Sequence, residues 1–128
     1  MRIHHRDEAE PFETKDTSLI REIVHPINSH AQNQSLAEAT VAPSATTQAH
    51  FHTYSEEIYF VLCGEAVFRM EDECGNVEQS TLVAGAAVII APDRKHQIRN
   101  CGTQELRFLC CCAPPYSHDD TQLCDSLF

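Results

Sequence analysis

Three features of this 128-residue sequence predict an all-β fold, either a barrel or a sandwich. Short segments rich in β-branched and aromatic residues recur from residue 18 onward. Gly, Pro and Asn break them at short intervals, and apolar residues almost nowhere follow the helical period. With 42% apolar and 22% charged residues the chain has the composition of one globular domain with a core. Residues 1–34 read as an N-terminal arm and strand, 35–113 as the β-barrel and 114–128 as a C-terminal tail.

The elements follow in order. Residues 1–17 are polar and contain Pro11, which predicts an arm with at most one short edge strand. Residues 18–25, Ser-Leu-Ile-Arg-Glu-Ile-Val-His, form a strand that stops at Pro26. Residues 27–34 are turn-forming. From Ser35 to Ala42, Leu36, Glu38 and Thr40 alternate with Ala37, Ala39 and Val41, the period of a strand. A turn at 43–45 leads into a strand over 46–52. Residues 58–63 are apolar throughout, which predicts a strand covered on both faces, and 86–91 read likewise as buried. Between them, strands over 66–71 and 77–82 flank a hairpin loop at 73–76. A strand over 96–100, a turn at 101–104 and a long strand over 105–113 complete the barrel before Pro114 and Pro115. Ser117 stands three residues before Asp120, so the tail reads as a short helix or a loose end.

Charge and cysteine usage narrow the function. The formal net charge of −10 repels nucleic-acid phosphates and anionic lipid, leaving small molecules as the expected partners. Anionic substrates remain compatible, because a bound cation reverses the local field. The N-terminus has no apolar core of a signal peptide, and no apolar run approaches the roughly 20 residues that cross a bilayer. The expected location is the cytoplasm. The seven cysteines, an odd number including Cys110, Cys111 and Cys112 in a row, argue against a disulfide framework. The triplet reads as small buried hydrophobes of the last long strand.

The chemistry concentrates around residues 48–64. In an extended strand His50 and His52 share a face, and Glu57 follows on the face that continues with Tyr59 and Val61. His96 stands 44 residues after His52 in a comparable setting. Imidazoles and a carboxylate are ligands for one divalent transition metal, and His50, His52, Glu57 and His96 are the candidate set. Glu56 then faces outward. His4, His5, His30 and His118 read as solvent-exposed. Strand parity adds Gln48, Tyr59, Ile98 and Asn100 as pocket candidates; Gln48 and Asn100 read equally well as turn hydrogen-bonders, and Tyr59 as core.

These residues resemble the two motifs of the cupin superfamily. His50, His52, Glu57 and Gly64 match the first, with Ser44 at its leading glycine position. Gly85, His96 and Asn100 match the second, with Ala91 at its proline position, Pro92 one residue later and Asp93 in place of a glycine. The departures fall on turns, and Asp tolerates the left-handed conformation better than most residues. The resemblance, which extends to small single-domain cupins described as mannose-6-phosphate-isomerase-like, implies a double-stranded β-helix with the ligands pointing into the barrel. It also implies a homodimer, with residues 1–24 available to pair across subunits.

A cation of the Mn, Fe, Ni, Co or Zn group held by this set keeps one or two open positions. The expected function is a metal-dependent enzyme acting on a small sugar, sugar phosphate or carboxylate by isomerase, decarboxylase or lyase chemistry. Tyr59 and His25 are the candidate catalytic proton movers. The alternatives are an Fe- or Ni-dependent dioxygenase and a non-catalytic small-molecule-binding module.

Overall fold

The alternation of large apolar and polar residues builds two antiparallel sheets packed face to face. The computed structural model describes residues 1–128. After a short 3₁₀ turn at Arg6–Glu8, the strands are β1 (Phe12–Glu13), β2 (Leu19–Val24), β3 (Ser35–Val41), β4 (His50–His52), β5 (Glu56–Cys63) and β6 (Glu65–Glu71). They continue with β7 (Val77–Val83), β8 (Ala87–Ile90), β9 (His96–Asn100), β10 (Leu106–Ala113) and β11 (Thr121–Leu123). One sheet has the order β1-β2-β3-β10-β5-β8, the other β11-β4-β9-β6-β7. This is the expected all-β, double-stranded β-helix arrangement.

The core lies between the sheets, where Ile20, Val61, Phe68, Ile98, Leu106 and Phe108 are almost completely buried. Paired strands put their partners on the same face. Glu22 pairs with Ala37, Ala37 with Cys110, and Cys110 with Tyr59, so these four form one inward row. The neighbouring row runs Ser35, Cys112 and Glu57. Alanine and cysteine in the middle of both rows are too small to fill the space above them, and a cavity remains. Cys110 and Cys112 therefore serve as the sequence suggests, whereas Cys111 between them is only half-buried on the other face; all seven thiols are free.

Four expectations need correction. Strand 58–63 is not covered on both faces: Tyr59 and Val61 are buried, whereas Ile58, Phe60 and Leu62 are 36–40% exposed. In β8, Ile89 likewise faces outward at 63% exposure while Ile90 is buried. A continuous apolar run does not distinguish a two-sided core strand from one whose outer face is merely apolar. The ligand strand begins only at His50; Thr46 makes a lone bridge to Arg99 before it. The tail is neither helix nor loose end, since β11 pairs with β4. The short edge strand expected in the arm is β1, paired with β2 of the same chain.

Two of the three non-glycine residues with positive φ fall on the motif departures, the third being Thr17 at 74°. Ser44 and Asp93 both have φ of 64°, the left-handed conformation that glycine would adopt more readily. At Gly64 glycine is required twice over: φ is +91°, and an added Cβ would lie 2.9 Å from Glu105 O and Leu106 Cα. Gly75 has φ of +82° in open space. Replacing Gly64 by Ala is expected to cost about 3 kcal/mol or more, and Gly75→Ala only about 1 kcal/mol. Urea denaturation of the two variants measures the gap; equal losses would show that the β5–β10 approach does not constrain residue 64.

Candidate metal centre

Strand pairing brings the four expected ligands together from both sheets. His50 and His52 are the two inward residues of β4, and His50 pairs directly with His96, the first residue of β9. Glu57 reaches across from β5. All four are at most 4% exposed, and their ligand atoms lie within 4.8 Å of one another. Glu56 points outward and is exposed, as expected. Glu57 Oε2 is 3.1 Å from His52 Nε2 and 3.5 Å from His96 Nε2. Donors adjacent around one ion at about 2.1 Å are separated by roughly 3 Å, so these spacings suit a shared cation.

Each imidazole is oriented through its other nitrogen. His50 Nδ1 donates to Gln48 O at 3.1 Å and His96 Nδ1 to Arg94 O at 2.9 Å. His52 Nδ1 is 3.3 Å from Thr121 Oγ1, whose own proton goes to Ser117 O, so the imidazole donates and the hydroxyl accepts. Three Nδ1–H groups are thus engaged, so Nε2 is the nitrogen each ring can offer a metal; without one, His52 Nε2 donates to Glu57 Oε2 at 3.1 Å, a proton the metal would replace. His96 Nε2 is a buried nitrogen with no hydrogen-bond partner. Such an orphan is costly unless something occupies the site. The donor set, the tautomers and the orphaned nitrogen all fit a divalent transition metal.

Electrostatics agree. Burial alone would raise the Glu57 carboxyl, but the hydrogen bond from His52 and the nearby His96 imidazole outweigh it and hold it well below the usual carboxylate range. Burial, with the neighbouring His96, lowers His50 to about 4, so it is neutral and able to ligate. Burial also opposes charge on His52, yet the Glu57 hydrogen bond prevails and its pKa is raised. Cys112 Sγ donates to Glu57 Oε1 at 3.3 Å; burial and the Glu57 charge push that thiol up, so it remains a donor.

Beside the cluster lies a cavity of about 40 Å³, space for three or four waters at roughly 10–15 Å³ each. Tyr59 lines it, as expected, with its ring centroid 5.8 Å from that of His96. Burial pushes the phenol well above its ordinary pKa, so at neutral pH it can donate a hydrogen bond but cannot act as a base. His25 does not line this cavity. Its Nδ1 accepts from Ile27 N and its Nε2 donates to Tyr116 O, so it closes a surface turn instead. Gln48 is exposed because the strand starts after it, Ile98 is core, and Asn100 closes the turn through Val41 O, Gln104 O and Gly102 N.

The N-terminal arm and the tail supply groups that sequence reasoning missed. Asp16 Oδ1 accepts from Thr14 Oγ1, Ser18 N and Ser18 Oγ, and its Oδ2 lies 3.8 Å from His50 Nδ1 inside the cavity. Asp120 accepts from Thr53 N, Tyr54 N and Ser55 N, which fixes the loop between His52 and Glu57. Glu22 was discoverable, because it shares strand parity with buried Ile20. Nothing in the sequence marks Asp16, Asp120 or Thr121.

With this geometry in place, the class of protein is clear: a family model described as the cupin domain matches residues 37–112, and the chain belongs to the cupin family. Within it, the chain is 41% identical over 117 residues to an uncharacterized protein of Methanocaldococcus jannaschii, covering 91% of this chain and 90% of that protein. Among solved structures it resembles oxalate decarboxylase from Lactobacillus farciminis in complex with formate, with a TM-score of 0.78 and 25% identity. That match covers 88% of this chain but only 33% of the decarboxylase. A conserved double-stranded β-helix protein of Klebsiella pneumoniae superposes with a TM-score of 0.73 at 18% identity, covering 98% and 99% of the two chains. No helix is long and apolar enough to cross a membrane.

Two measurements probe the supports. Thr121→Val leaves the His52 Nδ1–H unpaired and is expected to weaken metal affinity about 10- to 100-fold while the chain stays folded; unchanged affinity in a metal titration would remove Thr121 from the site. In metal-free protein, His50 has a folded pKa below its unfolded value, so its stabilising contribution is present above about 6.5 and is lost as pH falls toward 4. Thermal unfolding between pH 7 and 4 should show this decline, and a flat profile would contradict it.

Proposed function

We propose that this cupin is a metal-dependent enzyme acting on a small oxygen-bearing substrate, a carboxylate or hydroxy-carbonyl compound, by isomerase, decarboxylase or lyase chemistry. The observation that carries this reading is the buried His50, His52, Glu57 and His96 cluster with every Nε2 turned inward beside a cavity. When bound, the cation would polarise a substrate carbonyl or carboxylate as a Lewis acid. The chain's own residues then do three things. The three imidazoles and Glu57 hold the cation, Ile20, Phe108 and Cys110 exclude water, and neutral Tyr59 presents a hydroxyl to the bound molecule. The small cavity favours a compact carboxylate over a sugar phosphate. The decarboxylase likeness of the fold is compatible with this chemistry.

The same reading takes the chain as a cytoplasmic homodimer. The outward row of Ile58, Phe60, Leu62 and Ile89 supports a second copy packing on this sheet face, since patches of this kind on a monomer commonly mark association sites.

Protein purified without added chelator is expected to carry close to one transition metal per chain by elemental analysis. His52→Ala is expected to lose it, together with turnover on a panel of small keto and hydroxy acids. Full metal content in that variant would refute the ligand assignment. Metal-dependent O₂ consumption by the iron-loaded protein would favour a dioxygenase instead.

A further inference from the structure

Strand register sets a thiol against the one anionic ligand. β10 runs beside β5, and Cys112 is the cross-strand partner of Glu57, so both side chains enter the space between the sheets. Both are almost completely buried there. Cys112 is not one of the four clustered donors. Its Sγ instead donates to Glu57 Oε1 at 3.3 Å, the one hydrogen bond that this oxygen receives. The other oxygen, Oε2, faces the imidazoles, 3.1 Å from His52 Nε2 and 3.5 Å from His96 Nε2. The two oxygens of a single carboxylate therefore have separate partners.

A carboxylate meets a cation through one oxygen or through both. What the second oxygen would otherwise lack decides between them. A buried, charged oxygen without a donor carries the full penalty of its lost hydration, and Glu57 is too buried to recover that hydration from solvent. Without the thiol, turning the carboxylate to give both oxygens to the cation would remove the penalty. It would also fill a coordination position that a substrate needs. With the thiol in place Oε1 is already satisfied, and Oε2 alone is left for the cation. Cys110 supplies the contrast. It is buried on the same face of β10, two residues away, and lines the same cavity, but donates to no ligand. The two thiols match in size and differ in the bond to Glu57.

We propose that Cys112 is a positioning residue: its thiol holds Glu57 to ligation through one oxygen and so keeps a coordination position open for substrate. This rests on the metal-dependent reading above and deepens it, giving a task to a buried thiol that the ligand set leaves unused.

The test loads the full chain with Mn²⁺ in oxygen-17-enriched water, where broadening of the electron paramagnetic resonance lines reports metal-bound water. Four protein ligands leave one or two positions for water, so filling one of them in Cys112→Ala is expected to cut the broadening by about half or more. Cys112→Val, which fills the sulfur's place without a donor, is expected to do the same and decides the matter if the alanine variant fails to fold. Cys110→Ala removes an equal volume from the same wall and should keep the wild-type broadening. Full broadening in a folded Cys112 variant, or the same loss in Cys110→Ala, would overturn the role. So would Cys112 variants that both fail to fold or to take up Mn²⁺, since the thiol would then serve stability or affinity instead. A wild-type chain that binds no Mn²⁺ overturns the metal reading and this one together; stoichiometric Mn²⁺ with unchanged broadening in the Cys112 variants overturns the positioning role alone.

Discussion

A carboxylate buried between two sheets is the constraint from which the rest of this structure follows. An ionised group with the burial of Glu57 is tolerated only when paired and hydrogen-bonded on most of its lone pairs. His52 and His96 approach one of its oxygens, and the Cys112 thiol donates to the other. These partners also carry the site's chemistry, because imidazoles that satisfy Glu57 are thereby gathered around a common point. The fully buried Nε2 of His96 remains without a hydrogen-bond partner. The protein chain alone does not complete the arrangement, and a cation there would.

The periphery is organised to hold that point still. Asp120 gathers three backbone N–H groups of the loop joining His52 to Glu57, while the next residue, Thr121 at the start of β11, orients His52. From the opposite end of the chain, Asp16 O accepts from Gln48 N, and Gln48 O in turn accepts from His50. Both termini therefore brace the ligand strand. Further along, the tail is itself anchored: Arg69 and Arg99 stack on Phe128, and Leu127 N donates to Gln97 on β9. Small residues on β3 and β10 leave open the space that these braces surround.

Much of this was readable from the chain, for identifiable reasons. His50, His52, Glu57 and His96 could be found because strand parity and motif spacing act locally, and Ser44 and Asp93 kept their turn conformations without glycine. What escaped was non-local or depended on strand limits. Asp16, Asp120 and Thr121 act through pairings that join the two ends of the chain, and no local pattern encodes them. Gln48 was misplaced because parity was extended past the true start of β4. His25 was a pocket candidate by position, but it lies outside the cavity lining, bonded to Ile27 and Tyr116. The apolar runs in β5 and β8 looked buried on both faces, since hydrophobicity alone does not reveal which face lacks a covering layer.

The most direct test of a shared cation is anomalous diffraction at the metal edge from crystals soaked in Mn²⁺ or Zn²⁺. The account predicts a single strong peak per chain, about 2.0–2.2 Å from the Nε2 atoms of His50, His52 and His96 and from a Glu57 oxygen. A peak bound elsewhere, or ligand residues that remain paired only with one another under saturating metal, would contradict it.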